Sequence, residues 1–272
     1  MRFAERLAAG RFAVALEITP PQKPLPKVLL RRAGLIEPVA HAVNVIQRPG
    51  RQSSLDAALT LFDAGIEPAW HLVTRGRTRA EILADCDRAR AGGIRQVLCI
   101  RGDNAGEDVS DSPSLRDAVG MVRDAIPGAL VGATYNQYAP DRNAALRNLM
   151  GKLRAGAGYV QTQPVFDARS FEAAAEAIME QAPETKIVAM IMPLRSRGEA
   201  LEIEQRLSIE LPQTFSRRLE TEDSAWEAFD ETVGALVLSP LVAGVAVMTF
   251  EMDPSPETGT RIVAALRQAG LG

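Results

Sequence analysis

Short apolar runs alternate with longer amphipathic segments along the chain. Residues 12–18, 42–46, 69–73, 94–100, 129–135, 158–163, 186–191 and 245–250 are rich in Val, Ile, Leu and Ala and have the length of strands. Between them, residues 55–64, 79–91, 115–125, 143–155 and 171–181 carry apolar positions at helical spacing, and Gly65, Gly92 and Gly156 stand where three of these helices should stop. A first crossover helix is expected around Val28, after a proline-rich stretch, and a last one over residues 257–268. The connection after Pro193 is longer than the others and divides into helical pieces at 198–207, 213–219 and 224–238.

Eight strand candidates separated by helices predict an α/β fold, a parallel (β/α)8 TIM barrel, with an N-terminal helix and an elaborated crossover before the last strand. An open dinucleotide-binding sheet is the alternative, but no G-x-G-x-x-G segment lies between a strand and a helix, and no Walker motif occurs. At 272 residues without a Gly/Ser linker or charged block, residues 1–272 are expected to form one barrel domain.

Charge narrows the partners. The formal net charge of -3, with arginines scattered among acids, gives no basic stripe for nucleic acid. No stretch reaches the roughly 20 apolar residues of a membrane span, and the first residues lack the apolar core of a signal peptide. Cys86 and Cys99 form no close motif, so neither a disulfide scaffold nor a cysteine metal site is expected, and a cytoplasmic protein is the default.

In a parallel barrel, chemistry gathers at the C-terminal ends of the strands. Glu17, His71, Asp103 and Gln163 all fall near such ends. Glu17 suits a general acid that protonates a substrate nitrogen, or a carboxylate accepting bonds from the Thr19-Pro20-Pro21 turn. Asp103, after Arg101-Gly102, can bind an N–H-rich heterocycle or close a salt bridge with Arg101. Gln163 offers a donor and an acceptor to a pterin-like edge, or caps the turn near Asp167. His71 can face a ligand or be a satisfied structural histidine. Asn148 and Lys152 lie one turn apart on a helix, suited to a phosphate or ribose or to solvent. With His41 and His71 the only histidines and no cluster at ligand spacing, no metal site is expected.

Several of these stretches, taken in order, resemble the methylenetetrahydrofolate reductase family of TIM-barrel flavoproteins: Leu16-Glu17-Ile18-Thr19-Pro20-Pro21, His71-Leu72-Val73-Thr74, the run from Gly93 to Arg101-Gly102-Asp103, Lys152-Leu153-Arg154-Ala155-Gly156, and Thr162-Gln163-Pro164-Val165-Phe166-Asp167. The resemblance implies reduction of 5,10-methylenetetrahydrofolate to 5-methyltetrahydrofolate, with hydride passing from NADH or NADPH through FAD. Glu17 then matches the acid that opens the methylene bridge, Asp103 the carboxylate near flavin and folate, and Gln163 the folate-contacting glutamine. His71, Arg101, Gly102, Asp103, Asn148 and Lys152 match positions near FAD. The family's segment after the fifth strand is replaced here by Thr134-Tyr135-Asn136-Gln137-Tyr138-Ala139-Pro140-Asp141, and Ala145 stands where a carboxylate is common. Two further outcomes therefore stay open: a flavin-free folate reductase using NAD(P)H directly, and a non-redox folate-binding protein assisting one-carbon or methyl transfer. The expected partner is a tetrahydrofolate derivative, with neither nucleic acid nor membrane, and self-association into a homo-oligomer is left open.

Overall fold

The computed structural model describes residues 1–102 and 111–272. Among these, eight parallel strands close into a barrel in sequence order: β1 (Ala13–Ile18), β2 (Ala42–Val45), β3 (Pro68–Val73), β4 (Gln96–Ile100), β5 (Leu130–Tyr135), β6 (Tyr159–Pro164), β7 (Lys186–Ile191) and β8 (Gly244–Met248). The ring shuts between β8 and β1, where Ala13 pairs with Gly244 and Glu17 with Met248. On its other side β1 sets Glu17 beside Asn44 of β2.

An N-terminal helix, α1 (Phe3–Ala8), precedes the barrel. The crossovers carry α2 (Pro26–Ala33), α3 (Ser54–Asp63), α4 (Arg79–Ala91), α5 (Leu115–Ala125), α6 (Arg142–Arg154) and α7 (Ala168–Gln181). The long connection before β8 holds α8 (Arg197–Leu207), α9 (Gln213–Ser216), a 3₁₀ turn over Arg217–Glu220 and α10 (Glu222–Leu238), and α11 (Pro256–Gln268) closes the described chain. No helix among the described residues is long and apolar enough to cross a membrane.

The chemistry of the helix starts explains why the crossovers begin where they do. Thr78 accepts the Glu81 backbone N–H while the Glu81 carboxylate accepts that of Thr78, and Ser114 and Asp117 repeat the arrangement at α5. Each such pair satisfies N–H groups that a helix's first turn leaves without partners. One strand starts later than the pattern predicts. The Ile94 N–H bonds the Ala89 carbonyl, so this residue finishes α4 and β4 begins only at Gln96. β8 likewise ends at Met248, because the Thr249 hydroxyl turns back to the Glu251 carbonyl.

Strand residues alternate between two apolar environments. Val14, Leu16, Val43, Trp70, Leu72, Val97, Val160, Ile187 and Val245 face the helices in the larger core. Ala13, Ala15, Ala42, Leu98, Tyr159, Val188 and Ala246 fill the barrel interior, where Phe3 and Leu7 from α1 plug the N-terminal end. The interior is crowded enough to require a glycine: a Cβ on Gly132 would lie 2.2 Å from the Tyr159 ring. A third apolar group, including Phe166, Met192, Leu194, Ile203, Leu211 and Phe215, is built mainly by the long crossover and sits beyond the ends of β6–β8.

Candidate functional site

The polar heart of the barrel is a cross-barrel network around Glu17. Its side chain is only 2% exposed. Gln161 on β6 donates from Nε2 to Glu17 Oε1 at 2.6 Å, and Asn44 donates from Nδ2 to the same oxygen at 3.3 Å. The same Asn44 nitrogen also donates to Gln161 Oε1 at 3.1 Å. His71 on β3 completes the group, with Nε2 at 3.6 Å from Glu17 Oε1. Burial pushes the His71 imidazole below its usual range against the opposing pull of Glu17, which favours the neutral ring.

Two atoms of this network, Asn44 Oδ1 and His71 Nε2, are buried without a hydrogen-bond partner among the described residues. Such groups cost about 1–3 kcal/mol each when unmet in an apolar interior. Their presence beside a buried carboxylate marks a site built for more than packing.

Gln163 stands near the C-terminal end of β6, where the register against β7 shifts between Gln161 and Pro164. Its backbone is clamped: the Gln163 N–H donates to Gln137 Oε1 at 3.0 Å, and Gln137 Nε2 donates back to the Gln163 carbonyl at 2.8 Å. Tyr138 adds a bond from its hydroxyl to the Pro164 carbonyl at 2.7 Å. The segment after β5 thus fixes the end of β6, while the Gln163 side chain accepts and donates no hydrogen bond among the described residues.

On the opposite rim, a cleft between the ends of β8 and β1 is lined by Glu17, Thr19, Arg32, Arg48, Thr249 and Glu251, among others. Residues 249–254 are tied down over this side by two sets of ion pairs. Glu251 meets Arg195, which also holds Glu199 at 2.9 Å, and Asp253 meets Arg31 at 2.8 Å and Arg32 at 3.3 Å. Free space within the cleft is ≈ 20 Å³. That is room for about one water molecule.

The remaining expected residues lie in different settings. Arg101 is exposed and Gly102 turns the chain at the end of β4 with φ +86; a Cβ there would stand 2.5 Å from the Val73 side chain, so the turn accepts only glycine. Asp103 lies outside the described residues. Lys152 is largely buried between α6 and the barrel and donates to the Thr134 carbonyl; burial lowers its ammonium to about 8. Asn148, one turn earlier, is exposed. No group of three or more His, Cys, Asp or Glu side chains placed to hold a metal occurs among the described residues.

The structure therefore sets His71 beside Glu17 and Gln163 near the end of β6, and turns Lys152 inward while Asn148, its neighbour on one helix, is exposed. It also adds two residues that sequence reasoning passed over, Asn44 and Gln161. A signal was present for Asn44, which is polar, mid-strand and flanked by Val43 and Val45, both facing the helices.

A family profile described as methylenetetrahydrofolate reductase matches residues 2–243. A probable methylenetetrahydrofolate reductase (NADPH) from Caenorhabditis elegans is 29% identical over 183 residues, covering 62% of this chain and 26% of that protein. The 5,10-methylenetetrahydrofolate reductase of Salmonella typhimurium is 25% identical over 181 residues, 65% of this chain and 61% of that one. The chain thus spans a quarter of the nematode protein and about three-fifths of the bacterial one. Among solved structures, an uncharacterized Clostridium thermocellum protein that binds two copies of 5-methyl-5,6,7,8-tetrahydrofolic acid superposes with a TM-score of 0.72 at 13% identity, over 99% of this chain and 100% of that one. The coenzyme F420 dependent tetrahydromethanopterin reductase of Methanopyrus kandleri gives a TM-score of 0.61 at 12% identity, over 95% and 98% of the two chains. At these identities the two structures share the fold.

Proposed function

This chain belongs to the methylenetetrahydrofolate reductase family, and on that premise we propose that it binds a reduced folate at the C-terminal mouth of its barrel and reduces the folate's one-carbon unit. The substrate is 5,10-methylenetetrahydrofolate and the product 5-methyltetrahydrofolate. The observation that carries the reading is the buried Glu17 carboxyl at the centre of a polar network inside the barrel, with Gln163 near the end of β6.

The chemistry needs one proton and one hydride. Glu17 protonates the nitrogen that leaves the methylene bridge, the carbon–nitrogen bond breaks, and the positive charge passes to the remaining nitrogen–carbon double bond. A reduced nicotinamide then delivers hydride to that carbon. Gln163 reads the pterin edge through its paired donor and acceptor, and the neutral His71 adds no positive charge beside the cationic intermediate. A dry interior strengthens each of these interactions relative to water.

FAD is the group the family implies, and among the described residues the side chains expected to hold it stand in different settings. His71 faces Glu17 inside the barrel, Lys152 holds the Thr134 carbonyl, Asn148 and Arg101 are exposed, and Gln137 with Tyr138 bridges the mouth between β5 and β6. The Arg101–Gly102 turn supports hydride transfer through FAD as the second reading.

Purified protein mixed with 5,10-methylenetetrahydrofolate and NADH or NADPH separates these outcomes. Nicotinamide oxidation matched by 5-methyltetrahydrofolate, without added FAD, is the expected result. Turnover only after FAD reconstitution moves the protein to the second reading, and folate binding with no redox change in either condition overturns the reductase in favour of a folate-binding role. Glu17→Gln is expected to lower folate reduction by about 10²–10⁴-fold while folate binding persists; undiminished turnover removes Glu17 as the acid.

A further inference from the structure

Glu17 carries its two amide donors on one oxygen. Gln161 Nε2 and Asn44 Nδ2 both reach Oε1, while no described residue bonds Oε2. A proton on Oε1 would point into two N–H groups, with only His71 Nε2, 3.6 Å away, to turn to, whereas a proton on Oε2 meets neither donor. Glu17 also lines the rim cleft between β1 and β8.

The orientation of the Gln161 amide is itself determined. Its Oε1 accepts from Asn44 Nδ2 at 3.1 Å. Turned by half a rotation, the amide would set its oxygen against the Glu17 carboxylate at the 2.6 Å now occupied by nitrogen, and its NH₂ against that of Asn44. Both contacts are repulsive while Glu17 is ionised, so the carboxylate form favours the observed arrangement. Gln161 is 2% exposed, lies beside Val188 of β7 in register, and reaches across the barrel to Glu17. A residue needed only to fill that space would be apolar.

We propose that Gln161 is the positioning residue for Glu17: it occupies Oε1 and thereby makes Oε2 the oxygen that bears and delivers the proton. This rests on the folate-reductase reading above. Asn44 serves the same end indirectly, by locking the Gln161 amide.

Two variants test it. Gln161→Leu removes the donor at similar volume, and Gln161→Glu is nearly isosteric but sets a second carboxyl beside the first. Without the N–H, the protonated form of Glu17 survives to higher pH; with two adjacent carboxyls, one proton is shared and survives higher still. Because an acid catalyst works only when protonated, the alkaline limb of kcat/KM for folate reduction moves up, on the order of one pH unit for Gln161→Leu and further for Gln161→Glu. At the same time kcat falls about tenfold through loss of orientation, with KM for folate changed by less than about threefold. A residue that merely packs lowers stability and leaves the shape of the profile unchanged, so profiles superimposable on wild type overturn the proposal.

A second readout does not depend on turnover. The ¹³C carboxyl resonance of Glu17, assigned by its absence from Glu17→Gln, is titrated in wild type and in both variants. A titration that moves upward in the variants supports the proposal even if wild type reduces no folate, in which case only the functional reading has failed. A Glu17 titration identical in all three proteins sinks the proposal whatever the activity.

Discussion

His41 makes a contact that depends on its charge. Its Nδ1 accepts the Val14 backbone N–H at 3.0 Å, and its own backbone N–H bonds the Val14 carbonyl at 2.8 Å, joining the approach to β2 to the start of β1. Burial first, and the nearby Arg6 charge second, push the imidazole down to about 4 from an ordinary 6.5. A group whose pKa is lowered by folding stabilises fully above its unfolded value, and the contribution is lost as pH falls towards the folded one. Wild-type Tm is therefore expected to fall more steeply between pH 6.5 and 4 than that of His41→Asn, whose side-chain oxygen can accept the same N–H without titrating. Parallel Tm curves for the two proteins would remove His41 as a source of acid sensitivity. Glu17 and Gln163 were legible in the sequence as polar residues near strand ends, and both lie at the mouth side of the barrel. Gln161 was not, because its partner stands 144 residues away and no local pattern announces a bond across a barrel.

At the scale of elements, β5 and β6 fit because one gives up its side chain. Gly132 leaves the space that the Tyr159 ring fills, and an added Cβ would stand 2.2 Å from Cζ and 2.6 Å from the hydroxyl. Gly132→Ala is expected to cost about 1–3 kcal/mol by overpacking. In the Tyr159→Val background that clash is gone, so a double-mutant cycle by urea unfolding should show a coupling of at least about 1 kcal/mol, and additive effects would count against it. Helix α6 shows why a helical pattern under-determines function. Spacing put Asn148 and Lys152 on one face, but the long Lys152 side chain folds inward to the Thr134 carbonyl while Asn148 stays in solvent. Flexible stems reach different surroundings from neighbouring positions, and what surrounds them is set by the next strand.

The whole molecule is a barrel closed at one end and elaborated at the other. Phe3 and Leu7 seal the N-terminal end, with Phe3 edge-on to Tyr159 at 5.9 Å between ring centroids. Phe3→Ala is expected to destabilise by about 3–5 kcal/mol in chemical denaturation and to leave affinity for the proposed folate ligand unaltered at temperatures where the variant is folded, since the candidate site lies at the far end; loss of both together would show that the plug shapes the mouth. Hydropathy alternation, turn residues and the long segment before β8 were enough to determine the parallel barrel, its N-terminal helix and its elaborated crossover, because period, length and strand-ending glycines and prolines are local properties. Closure decided the rest. Only when β8 pairs with β1 do Glu17, Asn44, His71 and Gln161 face one another, because their meeting depends on strand register and barrel curvature, and those are fixed by the packing of the entire ring.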